Sequence, residues 1–417
     1  MKFSRIGIST TTVAAIAVVA IIVVGAGAYL AASGSKTTTT VTSTSTTTAL
    51  STTTTVSTSV STSTSVSTSL ATSTATSTAV VNPTVSVKLS GAGSTFINPV
   101  LSAMITAYQT ATPTVAINYQ GVGSGAGISA LEGKTVDFAA SDAPLQAADI
   151  AKAPTAQTIP MTIGAVTVAY NIPGVKSNLH LTGQVIADIF SGNVTTWNNP
   201  EIQSLNTNVT LPTNNILVVH RSDSSGTTFV FTGYLSQESA GWNKTYGQAK
   251  SIGWPVGLGA NGNAGVAGVV QGTTYTIGYV ELAYALSNSM TVASVMNNAG
   301  NWVLPTLASS AAAATAVSNL PAGSGNWSKV NLLNQPGAST YPIVTFSYVI
   351  VYKDLSTNPD LNVNSAGALV KFLYWAVNTG QGQAQALSYV PLPANVVAID
   401  VETIQSLTFG TTYVPVQ

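Results

Sequence analysis

The stretch TVSVKLSGAGSTFINPV, residues 84–100, carries the pattern that decides the fold. Its first six residues alternate apolar and polar side chains, which is typical of a strand with one buried face. The glycine-rich turn GAGSTF follows, and Asn98 with Pro99 then predicts a helix N-cap and the first helical residue. The stretch therefore predicts a strand, a loop and a helix in succession.

The same succession recurs along the chain. VAINY (115–119) precedes the loop QGVGSGAG and a short helix expected to run through Leu131, and VDFAAS (136–141) leads into Asp142. Strands that alternate with helices across glycine-rich junctions predict the α/β class and parallel strand pairing. A second series is expected from about Thr167. Its elements are a helix over 185–190, a strand over 216–219 and an amphipathic helix over 227–235, before a strand TFSYVIVYKD and a helix over 366–378.

Composition excludes several classes of function. Formal net charge is zero and only 6% of the 417 residues are charged, against about 25% in typical soluble domains. No basic surface for nucleic acid can be assembled from so few cations. The absence of Cys removes disulfides, thiolate metal sites, Cys nucleophiles and a lipid-modified Cys anchor.

The first 36 residues form a signal or anchor segment. Residues 13–32 are an uncharged apolar run of the length that spans a bilayer as a helix, and Lys2 and Arg5 precede it. Basic flanks stay cytoplasmic, so the rest of the chain is expected on the extracellular face of the membrane. A cleaved signal peptide is the alternative, because Ala26-Gly27-Ala28 could serve as a cleavage site. The sequence Arg5 to Ile8 also resembles the processing site of archaeal class III signal peptides.

Residues 37–83 are almost entirely Ser, Thr, Val and Ala without charge. Such a composition has too little apolar bulk to form a packed core, and it predicts a disordered stalk that can carry O-linked sugars. The globular part also contains N-glycosylation acceptor sequences at Asn193, Asn208, Asn243 and Asn326. We therefore expect a glycosylated domain that stands off the cell surface.

Three strand-to-helix junctions place hydroxyls among glycines. They are Ser94-Thr95-Phe96, Ser124 within GVGSGAG, and Ser225-Gly226-Thr227 within HRSDSSGTTF. Each junction can aim backbone N–H groups and a hydroxyl at an oxyanion from the positive end of a helix dipole. A single junction of this kind is also explained by ordinary N-capping.

Three charged residues add chemistry to these junctions. Arg221 lies four residues before Ser225, and its planar guanidinium matches two oxygens of a tetrahedral oxyanion. Asp223 is placed to hold that guanidinium, although a surface ion pair would show the same spacing. Asp142 puts a carboxylate into an anion site, which makes sense if the ligand itself carries a proton.

Seven stretches in this order make the chain resemble a known family. They are GAGSTF, NYQGVGSGAG, TVDFAASDAPL, HRSDSSGTTFVFTGYL, GLGANGN, IGYVELAYA and YPIVTFSYVIVYKD. From about Leu89 to Leu392 the chain resembles the phosphate-binding proteins of the high-affinity Pst-type ABC phosphate importers. Its anchor and stalk look more like archaeal cell-surface versions than bacterial ones.

The resemblance implies a type II periplasmic-binding-protein fold of two lobes, each a mixed sheet flanked by helices. Two crossing segments, near 166–174 and near 341–352, would form the hinge. Lobe I would comprise 84–168 and 345–417, and lobe II would comprise 169–344; we keep these names below. The implied partners are inorganic phosphate and the membrane subunits of an ABC importer. The resemblance further implies no metal, no cofactor, no enzymatic activity and a monomer. The implied phosphate shell is Ser94, Thr95, Phe96, Ser124, Asp142, Arg221, Ser225, Gly226 and Thr227.

The chain departs from the family pattern at four positions of the site. Ser94 stands where many members have Ala, Gly125 where many have Ser, His220 where a second basic residue is common, and Ser224 where the family has Gly. A loop glycine can adopt a positive φ that Ser adopts only at a cost. Ser224 is therefore expected to alter the local backbone and to shift affinity without changing the ligand.

Other functions remain open at this point. GVGSGA, residues 121–126, matches a dinucleotide-binding motif, with Asp142 as the ribose-binding acid of an oxidoreductase. Gly127 to Thr135 is one residue too long for a P-loop. Ser225 and His220 could form a hydrolase pair if they were in contact. A structural or signalling surface protein that kept the fold and lost its ligand is the last alternative.

Overall fold

The strands of the molecule form one large mixed sheet and two small sheets. The computed structural model describes residues 86–176, 179–315 and 320–416. The anchor and stalk predicted for residues 1–83 lie outside the described residues. Within those three ranges, no helix is long and apolar enough to cross a membrane.

The strands occupy short stretches separated by helices, as the sequence pattern predicts for most of the chain. They are β1 (Val87–Gly93), β2 (Val115–Gly121), β3 (Phe138–Ser141), β4 (Ala156–Asn171), β5 (His180–Leu181), β6 (Leu217–Arg221), β7 (Leu258–Ala260), β8 (Thr276–Glu281), β9 (Thr291–Val292), β10 (Ser294–Met296), β11 (Trp302–Val303), β12 (Val344–Tyr352), β13 (Thr408–Phe409) and β14 (Thr412–Tyr413).

The helices lie mainly between these strands. The α-helices are α1 (Asn98–Ala111), α2 (Ser124–Glu132), α3 (Ala147–Lys152), α4 (Gly183–Phe190), α5 (Pro200–Gln203), α6 (Gly226–Glu238), α7 (Ala240–Thr245), α8 (Gly262–Gly272), α9 (Leu282–Ser287), α10 (Leu307–Ala314), α11 (Val363–Val377), α12 (Gly382–Ala386) and α13 (Ala394–Gln405). Short 3₁₀ turns cover Trp327–Lys329, Leu355–Thr357 and Thr379–Gln381.

The large sheet combines parallel and antiparallel pairs. Its order is β2-β1-β3-β12-β4-β8-β6-β7, with β9 paired to β4. The pairs β1-β2, β1-β3, β6-β8 and β6-β7 are parallel, as the strand–helix alternation predicts. The long strands β4 and β12 are antiparallel to their neighbours. The mixed α/β class and the type II binding-protein fold are confirmed.

Strand β4 connects the two groups of parallel strands. It pairs with β12 through Ala165 and with β8 from Val166 onward. The chain returns beside the same point, because Val166 donates its N–H to the carbonyl of Ile343 and the Tyr341 hydroxyl donates to the carbonyl of Val166. Both crossing segments therefore lie side by side near the positions predicted for the hinge.

Each group of strands has its own aromatic packing. In lobe I, Phe138 of β3 packs against Tyr119 and against Phe372 of α11. In lobe II, Phe231 of α6 stacks on Tyr279 of β8 at 4.3 Å between ring centroids. Burial of these aromatic rings adds to the stabilisation that the larger aliphatic core supplies.

Two local predictions are wrong. Asn98 is not the N-cap of α1; that position is Ile97, which has no side-chain cap, and the Ser94 hydroxyl accepts instead from the Phe96 and Ile97 N–H groups. Helix α6 is not amphipathic, because nearly all of its first ten residues are buried. It packs between α4 and the sheet, and the hydroxyls of its buried Thr227, Thr228 and Thr232 are hydrogen-bonded within the protein.

Candidate anion-binding site

The loop after β1 is built around the Ser94 hydroxyl. Ser94 Oγ lies 2.7 Å from each carboxylate oxygen of Asp142 and accepts from the Phe96 N–H at 3.0 Å. Its carbonyl accepts from the Tyr119 hydroxyl at 2.7 Å. The parallel pairing of β1 with β3 holds this loop beside Asp142, since the Ser94 N–H donates to the Ala140 carbonyl.

Asp142 is a buried carboxylate that has hydroxyls around it. Ser347 Oγ donates to its Oδ1 at 2.6 Å, and Ser124 Oγ lies 3.5 Å from Oδ2. Burial raises the pKa of Asp142 to about 6, against the lowering effects of the Ser347 and Ser94 hydrogen bonds and the charge of Arg221. With a pKa of about 6, the carboxylate is mostly ionised at neutral pH.

Arg221 ends β6 and is only 3% exposed. Its Nε donates to Asp223 Oδ1 at 2.7 Å, its Nη2 donates to Asp223 Oδ2, and its Nη1 donates to Thr227 Oγ1 at 3.1 Å. Burial pushes the pKa of Asp223 upward, but the hydrogen bonds and charge of Arg221 outweigh it and hold that pKa below its ordinary value. The prediction that Asp223 orients the guanidinium is supported by this two-point contact.

Asn263 connects the two lobes. Its Nδ2 donates to Thr95 Oγ1 at 3.0 Å and to Thr227 Oγ1 at 3.1 Å, and its backbone N–H also donates to Thr95 Oγ1. Its Oδ1 accepts from the Glu281 N–H at 2.9 Å, which fixes the orientation of the amide. One fully buried side chain thus joins two predicted ligand hydroxyls that belong to different lobes.

The start of α6 lies against Asp142. Ser225 is the N-cap of α6, and its Oγ accepts from the Thr228 N–H at 3.0 Å. Gly226 has no side chain, and a Cβ there would lie 2.6 Å from Asp142 Oδ2 and 2.4 Å from Ser124 Oγ. The positive end of α6 therefore approaches the carboxylate and the Ser124 hydroxyl as closely as backbone can.

The structure brings every sequence-predicted site residue into one cluster between the lobes. All of them are buried, apart from partly exposed Asp223. Sequence reasoning missed Asn263 and Ser347. The available signals were the asparagine in the quoted stretch GLGANGN and a hydroxyl in the otherwise mainly apolar strand VTFSYVIVY. Ser347 lies at a β-bulge between β12 and β4, which a sequence pattern does not reveal.

Ser224 has no positive φ, so it carries no strain of the kind that a loop glycine relieves. The shift in affinity expected from Ser224 stays a prediction. The Ser224 carbonyl accepts from the Gly125 N–H of lobe I at 2.9 Å. Ser224 therefore contacts the opposite lobe directly.

The geometry does not favour the alternative chemistries. The N–H groups of Val122 and Gly123 both donate to the Gly93 carbonyl, so the loop of the dinucleotide motif is already hydrogen-bonded within the protein. His220 Nδ1 contacts the Arg221 carbonyl, its ring stacks on Trp254, and no hydrogen bond joins it to Ser225 among the described residues. The same part of the chain holds no cluster of three His, Cys, Asp or Glu residues fit for a metal.

Comparison with known proteins gives the family. Residues 31–379 match the model of the PBP superfamily domain. The "Phosphate-binding protein PstS" of Xylella fastidiosa (strain Temecula1) is 41% identical over 320 residues, which cover 75% of this chain and 84% of that protein. The chain belongs to the PstS phosphate-binding proteins of the PBP superfamily. The PstS of Methanocaldococcus jannaschii is 34% identical over 340 residues, covering 78% of this chain and 87% of that protein.

A solved structure agrees with the PstS assignment at the level of the fold. A high-affinity periplasmic phosphate-binding protein, PfluDING, bound with phosphate, aligns with a TM-score of 0.62 and 23% identity. The alignment covers 78% of this chain and 96% of that protein. The PstS family consists of solute-binding proteins, and both bacterial and archaeal members resemble this chain.

Proposed function

We propose that the chain captures inorganic phosphate, as hydrogen phosphate, between lobe I and lobe II and delivers it to an ABC importer. One observation carries this proposal above the others. Asp142 is 1% exposed, and its closest partners are the hydroxyls of Ser94 and Ser347 and not a cation. An anion site that keeps a buried carboxylate has to bind an anion that brings a proton.

The carboxylate selects phosphate by that proton. Near neutral pH phosphate keeps at least one proton and can donate a hydrogen bond to Asp142, whereas sulfate has none and would set oxygen lone pairs against it. Sites that hydrogen-bond a ligand hydroxyl can reject the analogue lacking it by about 10⁴–10⁵. Arsenate is protonated like phosphate and passes the same test.

The remaining contacts are assigned by charge and geometry. Arg221 Nη1, the hydroxyls of Thr95, Ser124 and Thr227, and the N–H groups at the start of α6 donate to the phosphate oxygens. Asp223 holds the guanidinium and leaves it little freedom to move. The proposed phosphate shell keeps the set expected from the sequence: Ser94, Thr95, Phe96, Ser124, Asp142, Arg221, Ser225, Gly226 and Thr227. The Phe96 N–H donates to Ser94 Oγ, so Phe96 contributes through the position of that hydroxyl. Asn263 joins Thr95 to Thr227 when the lobes are together.

The proposal extends to the place of the domain in the cell. We assign 84–168 with 345–417 to lobe I, 169–344 to lobe II, 37–83 to a glycosylated stalk and 1–36 to a membrane anchor. The charge pattern around the apolar run supports an extracellular domain. The domain acts as a monomer, and the membrane subunits of the importer are its partners. Separation of cells into membrane and soluble fractions tests the anchor.

Titration calorimetry tests the ligand. The full chain in detergent is titrated with phosphate, arsenate, sulfate and a nucleotide at neutral pH. Phosphate and arsenate are expected to bind, while sulfate and the nucleotide give no heat of binding. Equal binding of sulfate and phosphate would contradict the role of Asp142. Binding of the nucleotide alone would favour the dinucleotide alternative.

A further inference from the structure

The two lobes touch at a contact that has room for one side chain. Gly125, the second residue of α2 in lobe I, donates its N–H to the Ser224 carbonyl of lobe II at 2.9 Å. A Cβ at Gly125 would lie 2.1 Å from Ser224 Oγ and 2.4 Å from Ser224 Cβ. Non-bonded heavy atoms pack at about 3.5–4.0 Å. Rotation of the hydroxyl alone would not clear the clash, because the Ser224 Cβ is also in the way.

Lobe I itself does not require glycine at this position. Gly125 has no positive φ, and the second position of a helix accepts most residues. The three atoms nearest to an added Cβ all belong to Ser224 of the opposite lobe. Gly93 and Gly127 differ in this respect, since the atoms against them come from lobe I. The requirement for glycine at 125 therefore comes from the approach of lobe II.

We infer that Gly125 and Ser224 form a steric gate for lobe closure: the contact admits the side chain of Ser224 only while position 125 has none. Gly125 in lobe I has no side chain, and the hydroxymethyl group of Ser224 in lobe II occupies the space that a side chain at position 125 would need. The gate makes Gly125 and Ser224 positioning residues for the proposed ligand shell.

If the proposed function holds, the gate also controls phosphate affinity. The contact adjoins Ser124 on one side and Ser225 on the other, both in the proposed shell. A side chain at 125 would hold the lobes apart and separate Asp142 and Ser124 from the start of α6. Overpacking of this degree is expected to weaken phosphate binding by about 10- to 100-fold. Removal of the Ser224 side chain would restore the room.

A double-mutant cycle tests the gate. Phosphate affinity is measured by calorimetry for the full chain in detergent and for Gly125→Ser, Ser224→Gly and the double variant. Gly125→Ser is expected to bind about 10- to 100-fold more weakly, and the double variant to return to within about threefold of the parent. Gly367→Ala on α11 is the matched control, because no atom lies within 4 Å of a Cβ there. Its affinity is expected to stay unchanged.

A second measurement reports the gate without phosphate. The chain has no Cys, so spin labels can be attached at Val363→Cys in lobe I and Leu258→Cys in lobe II, both exposed. Pulsed electron-spin distances in the ligand-free chain are expected to lengthen in Gly125→Ser and to return in the double variant. Thermal unfolding of Gly125→Ser is expected to match the parent, because the clash arises between lobes.

The two measurements separate the possible failures. If the parent binds no phosphate, the proposed function is wrong, and the spin-label distances alone decide the gate. If the parent binds phosphate but Gly125→Ser binds equally well, the gate is wrong and the proposed function stands. A double variant that is no better than Gly125→Ser, in affinity or in distance, would also overturn the gate.

Discussion

Lobe I and lobe II place opposite charges at the site and stabilise them in different ways. In lobe II, Arg221 is paired through two nitrogens with Asp223, so the cation is neutralised before any ligand arrives. In lobe I, Asp142 receives hydroxyl hydrogen bonds, and among the described residues no ion pair involves it. Burial disfavours the ionised form of Asp142 and raises its pKa to about 6. The pKa of Asp223 is lowered, because the hydrogen bonds and charge of Arg221 outweigh the effect of burial.

The difference shows how an anion can be bound without excess positive charge. With Asp142 ionised, the two carboxylates outnumber the single guanidinium of this cluster. In the proposed site, attraction at long range is therefore expected to be weak, and binding is expected to depend on the directed N–H and O–H donors that the lobes bring together. Such a site recognises the number and placement of protons on the ligand more than its charge. Apart from the exposed control positions, each substitution below changes a single buried residue in or beside the proposed site.

The largest effect is expected from Asp142→Asn. The amide offers an N–H₂ donor to sulfate and keeps one oxygen as an acceptor for the serine hydroxyls. The preference for phosphate over sulfate is expected to fall by orders of magnitude, toward the limit of about 10⁴–10⁵ that one such group can supply. Competition calorimetry measures the ratio, with the exposed Asp360→Asn as a control of equal charge change. An unchanged ratio would reduce Asp142 to a structural residue.

Arg221→Lys alters the lobe II side while it keeps the charge. An ammonium cannot make the two-point contact with Asp223 and also donate to Thr227. Hydrogen bonds to charged groups contribute roughly 1.5–3 kcal/mol, so phosphate affinity is expected to fall by about 10- to 100-fold. Calorimetry of the variant gives the dissociation constant. A variant that binds phosphate as tightly as the parent would show that Arg221 lies outside the ligand shell.

Asn263→Ala removes the side chain that joins the two sides. Loss of its hydrogen bonds to Thr95 and Thr227 is expected to weaken phosphate binding by roughly tenfold, since each neutral bond contributes about 1 kcal/mol and closure is only partly lost. Asn261→Ala, two residues earlier, is the control, because Asn261 is exposed and its side chain does not cap α8. Equal affinities for the two variants would contradict the joining role.

The smallest effect on phosphate affinity is expected from Glu281→Gln. Burial raises the pKa of Glu281 to about 8, with a contribution from the charge of Asp142, while Ala283 N–H and the Tyr389 hydroxyl donate hydrogen bonds that lower it. A carboxyl whose pKa is raised in the folded state binds extra protons there, so stability falls as pH rises from about 4.5 to about 8.

Calorimetric unfolding of the ligand-free chain across that pH range checks the prediction. The melting temperature of the parent is expected to fall with rising pH more steeply than that of Glu281→Gln, because glutamine does not titrate. The slope that Asp142 adds below about pH 6 is present in both proteins and cancels in the comparison. Parallel pH profiles would mean that Glu281 is not the buried titrating group.

Most of the site could be predicted from the sequence because its residues follow strands directly. Ser94, Ser124 and Asp142 each lie within a few residues of the end of β1, β2 or β3, and the ends of parallel strands meet at one edge of a sheet. Ser225 follows β6, which runs antiparallel to those strands, so only the tertiary structure brings it to them. Local chemistry marked these residues as candidates, and the resemblance to the Pst-type family gave them a ligand role. The same reasoning failed at Asn98, because the Ser94 hydroxyl accepts from the neighbouring Phe96 and Ile97 N–H groups and Asn98 is itself the first residue of α1.

The sequence by itself determined the α/β alternation, the glycine-rich junctions with their hydroxyls, and the charged residues Arg221, Asp223 and Asp142. Only the tertiary structure decided that Ser347 and Asn263 join them, because these residues come from distant parts of the chain and reach the site through a β-bulge and through the meeting of the lobes. It also decided the contact of Gly125 with Ser224. A glycine has no side chain whose chemistry a pattern could reveal, and its role is set by the atoms that approach it from the other lobe.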